Sequence, residues 1–105
     1  MAEIAVHVRL VAPPGRRDDL VAALQPFLDG AAGEPGTLAY ALHHDLDDGD
    51  AIWFYTLFAD AEALETHRRN EAELMGTYPG VPELLAETPR EVRGAVVSMT
   101  SRSAT

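Results

Sequence analysis

Between Glu3 and Ala12 apolar residues alternate along the chain: Ile4, Val6, Val8 and Leu10 fall on one side, Ala5, His7, Arg9 and Val11 on the other. A repeat of two marks a strand, and Pro13-Pro14-Gly15 ends it. From Arg16 the spacing becomes helical. Leu20, Leu24, Phe27, Leu28 and Ala31 make one stripe, with Asp18 and Asp19 in the first turn, where the helix dipole favours acids. Pro26 removes one backbone bond and predicts a kink; the glycines from Gly30 to Gly36, with Pro35, close the helix. Alternation returns over Thr37 to Leu46, placing Leu38, Tyr40, Leu42 and His44 opposite Ala39, Ala41 and His43. Asp48-Gly49 between two alternating runs predicts a hairpin into a third strand from Ala51 to Phe58. Asp60 is a plausible N-cap for a second helix with the stripe Leu64, His67, Glu71, Leu74 and Tyr78, broken by Pro79-Gly80. One or two further helical turns are expected in Val81 to Glu87, and a last strand from Pro89 to Thr100.

The order β-α-β-β-α-β predicts an α+β, ferredoxin-like fold with an antiparallel sheet. Residues 3–100 are expected to form one such domain, and 101–105 a polar tail. Helices cover one face of a sheet of this kind. The third strand, however, is apolar on both sides: Ile52, Phe54 and Phe58 on one, Trp53, Tyr55 and Leu57 on the other. A monomer rarely exposes such a patch. A homodimer joined through Trp53, Tyr55 and Leu57, a dimeric α+β barrel, is the simplest cover.

Composition narrows the chemistry. The net charge is −9, and all eight basic residues are arginines, so neither a nucleic acid nor an anionic membrane is an expected partner. Without lysine there is no Schiff-base chemistry, and without cysteine no thiolate nucleophile or iron–sulfur ligation. No apolar run is long enough to span a bilayer. The first residues read directly as a strand with no basic region before it, which makes the cytoplasm the expected location.

Few motifs carry chemistry. The run Asp45-Leu46-Asp47-Asp48-Gly49-Asp50 lacks the glycine and glutamate spacing of a calcium loop and reads as a solvated turn. His43 and His44 are adjacent on a strand, point to opposite faces and cannot share an ion; no metal site is expected. His67 stands on the stripe facing the sheet, with Arg68 and Arg69 further round toward water. It reads either as a hydrogen-bonded structural residue or as a base at the rim of a pocket, a role that suits a group titrating near neutrality. Tyr40, Phe54, Phe58 and Tyr78 converge between sheet and helices, either as plain core or as walls for a planar aromatic ligand.

The segments Gly15-Arg16-Arg17-Asp18-Asp19-Leu20, Glu34-Pro35-Gly36-Thr37-Leu38-Ala39-Tyr40 and Phe54-Tyr55-Thr56-Leu57-Phe58, followed by Asp60, Ala63-Leu64 and His67, resemble the antibiotic biosynthesis monooxygenase family over residues 3–97. The resemblance implies oxidation of a planar aromatic or quinol-like molecule by O2 with no cofactor. It casts His67 as the base and Tyr40, Phe54, Thr56, Phe58, Met75 and Tyr78 as substrate-binding residues. Two alternatives are a dimer that binds a small hydrophobic ligand without turnover and an isomerase or cyclase relative. Many members carry Tyr-Glu-x-Trp where this chain has Tyr55-Thr56-Leu57-Phe58. Val8 and Phe58 also stand where haem-degrading relatives have Asn and Trp, so haem degradation is not expected.

Overall fold

The computed structural model describes residues 2–100; the predicted tail 101–105 lies outside them. The elements are β1 (Ile4–Val11), α1 (Arg17–Ala32), β2 (Thr37–His44), β3 (Ala51–Phe58), α2 (Ala61–Thr77), a 3-10 turn (Pro82–Leu84) and β4 (Arg90–Ala95). The strands form one sheet in the order β2-β3-β1-β4, and every neighbouring pair is antiparallel. This is the ferredoxin-like α+β arrangement.

Periodicity fixes which residues turn inward. β1 and β3 pair Val8 with Phe54 and Leu10 with Ile52, and this face packs on Leu20, Leu24 and Phe27 of α1 in the main core. Val6, Phe58 and Leu64 of α2 form a second, smaller cluster. Helix α2 starts as predicted, Asp60 accepting a hydrogen bond from the Ala63 amide at 2.8 Å. Among the described residues no helix is long and apolar enough to cross a membrane.

Four local details depart from the sequence reading. Leu38 does not share the inner face with Tyr40. The register shifts between Thr37 and Ala39, a bulge that leaves Leu38 54% exposed and adds local twist. β2 stops at His44 rather than Leu46, because the Asp45 side chain accepts the amides of Asp47 and Asp48 and turns the chain. The hairpin is therefore a longer, side-chain-stapled loop, and Gly49 has no positive φ; a two-residue I′ turn would need one. Helix α1 runs on through Pro26. The carbonyl left without its amide partner belongs to Ala22, an exposed residue that solvent reaches. β4 ends at Ala95, not Thr100, after which Val97 and Met99 are exposed.

The outer face of the sheet carries His7, Ala41, His43, Trp53, Tyr55 and Val92 in register. Leu57, paired with Ala5 and Ala39, points the same way but is already 7% exposed in the single chain. The Trp53 indole donates to Asp45 at 2.8 Å, and the His7 and Tyr55 rings stand 5.2 Å apart.

Candidate active site

A cavity of about 430 Å³ opens between α2 and the inner face of the sheet. β4 creates the space. Its inward positions, Glu91 and Arg93, oppose Val8 and Val6 of β1, and charged residues there give no helix a surface to pack on. Most of the wall is apolar, and β1, one of the two inner strands, supplies Val6, Val8 and Leu10. The volume lies in the range of small-molecule sites.

The polar groups gather on one side. His67 lines the cavity and is buried. Its ring lies 5.1 Å from that of Phe58 and 5.5 Å from that of Tyr40, and Tyr40 stacks on Phe54 at 5.2 Å. His67 Nδ1 stands 2.7 Å from Glu34 Oε1, and its Nε2 stands 3.4 Å from Glu71 Oε2 at the cavity mouth. Glu34 also accepts hydrogen bonds from the Thr37 hydroxyl at 2.7 Å and from Asn70 Nδ2 at 2.9 Å. Its side chain is only 7% exposed.

Charge in this cluster follows from those contacts. Burial works to raise the Glu34 pKa, but the bonds from Asn70, His67 and Thr37 outweigh it and hold the carboxyl below its usual range. Burial works to lower the His67 pKa; the Glu71 and Glu34 carboxylates overcome it and leave the imidazole above its ordinary value. For Tyr40, burial and then the charges of Glu71 and Glu34 push the phenol pKa up, so it remains a hydroxyl donor at neutral pH. Among the described residues no group of three or more His, Asp or Glu side chains is placed to hold a metal ion.

Local backbone features set this geometry. Glu34 sits in the turn after α1, where the Thr37 amide donates to the Glu34 carbonyl at 3.1 Å. Gly36 follows, and a Cβ there would lie 2.5 Å from the Ala63 Cβ. Only glycine lets the start of α2 come this close to the turn, which brings His67 and Asn70, one and two helical turns on, over the Glu34 carboxylate.

Most of the predicted site residues share this cavity: His67, Tyr40, Phe54, Thr56, Phe58 and Met75 all line it. Tyr78 does not. It follows the end of α2, is 44% exposed and lies in a separate shallow depression with Ala22, Pro26 and Gly80, because Pro79-Gly80 breaks the helix before its ring can turn toward the sheet. Arg68 is exposed, as expected, and from the rim of the cavity it donates to Glu91 across the mouth at 3.3 Å. Glu34 and Asn70 went unrecognised as site residues. Glu34 is 33 positions from His67, and no local spacing links them; the only cue was an acid in a turn otherwise built of glycine and proline.

Comparison with known proteins bears on this geometry. The sequence profile described as antibiotic biosynthesis monooxygenase matches residues 3–73. No curated protein gives a significant match. Among solved structures, Rv0793 from Mycobacterium tuberculosis superposes with a TM-score of 0.81 at 26% identity, over 95% of this chain and 100% of that one. A protein from Chloroflexus aurantiacus, described as a candidate antibiotic biosynthesis monooxygenase, gives 0.75 at 24% identity over 95% and 98% of the two chains. NE2512 from Nitrosomonas europaea, of unknown function, gives 0.79 at 24% identity over 99% and 98%.

Proposed function

The chain belongs to the antibiotic biosynthesis monooxygenase family, and from that membership we propose that it oxidises a planar, electron-rich phenol or quinol-like molecule with O2, using no resident cofactor. The observation that carries the reading is a buried histidine, paired to a carboxylate, on the wall of an otherwise largely apolar cavity of about 430 Å³. A nucleophile or base oriented by a third group is the general logic of such pairs.

His67 Nε2 removes a proton from the bound phenol or anthrone. The resulting anion passes one electron to O2, and the two radicals combine into a carbon-bound peroxide. That peroxide takes up the proton, then loses water as the carbon–hydrogen bond breaks and a carbonyl forms. An anthrone CH2 and O2 thus become a quinone C=O and H2O. The Tyr40 and Thr56 hydroxyls are the donors that hold the substrate oxygens. Phe54, Phe58 and Met75 supply apolar walls that keep water from the reacting anion. Glu71 and the Arg68 and Glu91 pair stand at the entrance.

The reading includes a homodimer over the outer sheet face. Trp53 and Tyr55 are its main contact, and the hydrogen bond to Asp45 holds the indole ready. Leu57 contributes less because it is already buried.

The test is a panel of anthrones and hydroquinones incubated with the protein in air, with oxygen uptake and quinone absorbance followed together. One O2 consumed per quinone formed from an anthrone is the expected result. Saturable binding with no oxygen uptake across the panel would contradict the reaction and leave a ligand-holding dimer.

A further inference from the structure

Glu34 makes no wall of the cavity, yet its carboxylate is the most completely bonded polar group near it. Three donors reach it from three places: Thr37 from the first residue of β2, Asn70 and His67 from successive turns of α2. A carboxylate held in this way can only accept, so the nitrogen 2.7 Å away, His67 Nδ1, carries the ring hydrogen. In a neutral imidazole the other nitrogen is then a bare acceptor. That nitrogen is Nε2, on the side of Glu71 and the cavity mouth.

We infer that Glu34 is the positioning residue of this site: anchored by Thr37 and Asn70, it fixes His67 in the Nδ1–H tautomer and presents Nε2 to the cavity as the proton acceptor. The inference rests on the reading of His67 as the base. It also specifies the ligand more narrowly. The group that meets Nε2 is a hydroxyl donor, a neutral phenol or enol, which takes the place now held by Glu71. An ether at the same position has no proton to give.

Glu71 does not do the same work. Its side chain is half exposed and its contact with Nε2 is longer, 3.4 Å; it sits one helical turn from His67 on the same helix and is free to swing toward water. The other charged or titratable groups facing the cavity are Tyr40 from β2 and the Arg68 and Glu91 pair that links α2 to β4. Glu91 also meets Arg93 Nε at 3.5 Å, and this partly exposed cluster lies at the mouth. The Glu34 carboxylate is the only buried charge in contact with the His67 ring among the described residues.

The tautomer can be read directly, with no substrate, from long-range proton–nitrogen spectra of the 15N-labelled full chain, the His67 signals being identified by their loss in His67→Gln. With the pH set above the ring's raised pKa, the expected result is a neutral ring with hydrogen on Nδ1 and a bare Nε2, and a titration midpoint that falls in Glu34→Gln, where the charge is gone but the shape remains. Glu34→Ala is expected to admit the Nε2–H tautomer and to lower kcat on an oxidised phenol with KM little changed, by up to the ~10²–10⁴-fold that general-base catalysis supplies. A parent ring with its hydrogen on Nε2, or a Glu34→Gln midpoint equal to the parent's, would overturn the inference. Should either variant fail to fold, the parent's tautomer alone decides. A panel in which nothing is oxidised would sink the proposed reaction while leaving the spectra to decide the role of Glu34.

Discussion

At the scale of single residues, the pairing of Glu34 with His67 ties stability to pH in two directions. The His67 pKa is raised in the folded chain by the Glu71 and Glu34 carboxylates, against its burial. Its contribution is fully present below the unfolded imidazole value, about 6.5, and is lost as pH rises through the higher folded value. Glu34 is shifted the other way: burial is outweighed by its three donors. Its contribution is present above the unfolded carboxyl value, about 4.3, and is lost as pH falls through the lower folded one. Urea midpoints measured across pH are expected to peak between those limits, and His67→Gln is expected to flatten the alkaline fall. A fall of equal steepness in His67→Gln would mean that other groups set it. His67 itself was legible from its place on the helical stripe. Its partner was not, because a contact between residues 33 apart leaves no trace in local spacing.

Elements were legible where one periodicity held without interruption. Both helical stripes and the alternation in β1 and β3 predicted the inner face, and the Asp60 cap predicted where α2 begins. What local pattern missed were the places where side chains overrode it: the bulge at Leu38, the Asp45 loop, and the early end of β4. Tyr78 lies outside the cavity for a related reason: the predicted stripe runs one residue past the end of the helix. The contact between Gly36 and the start of α2 is the element-level test of the site. Gly36→Ala sets a methyl group 2.5 Å from the Ala63 Cβ, and α2 or the turn must shift. A loss of about 1–3 kcal/mol in stability is expected, as for other overpacked positions. The same shift moves His67 from Glu34, so KM and kcat are expected to worsen together. Unchanged thermal melting would show that the helix start yields freely.

For the whole molecule, the proposed assembly follows from a third strand apolar on both faces in a sheet with helices on one. Tyr55, exposed His7 and exposed Val92 form one row across β3, β1 and β4 on the outer face, and Trp53 stands ready beside them. Trp53→Arg places a charge in that contact and is expected to give a monomer by sedimentation at micromolar concentration while the parent sediments as a dimer. A monomeric parent would remove the assembly from the account. The inner face carries the chemistry, and the cavity exists because β4 offers Glu91 and Arg93 where a helix would need apolar residues. The charge pattern of one edge strand therefore turns what would be core into a site.

The central claim is that His67 removes the proton that starts oxidation by O2 in this cavity. An oxygen-electrode trace comparing the parent with His67→Ala, on one anthrone that the parent oxidises, addresses it most directly. The account expects turnover to fall by about 10²–10⁴-fold, with the variant still folded and the stability loss confined to about 1–3 kcal/mol for the broken buried hydrogen bond. Equal oxygen uptake by the two proteins, with only the melting temperature lowered, would contradict it and return His67 to a structural role.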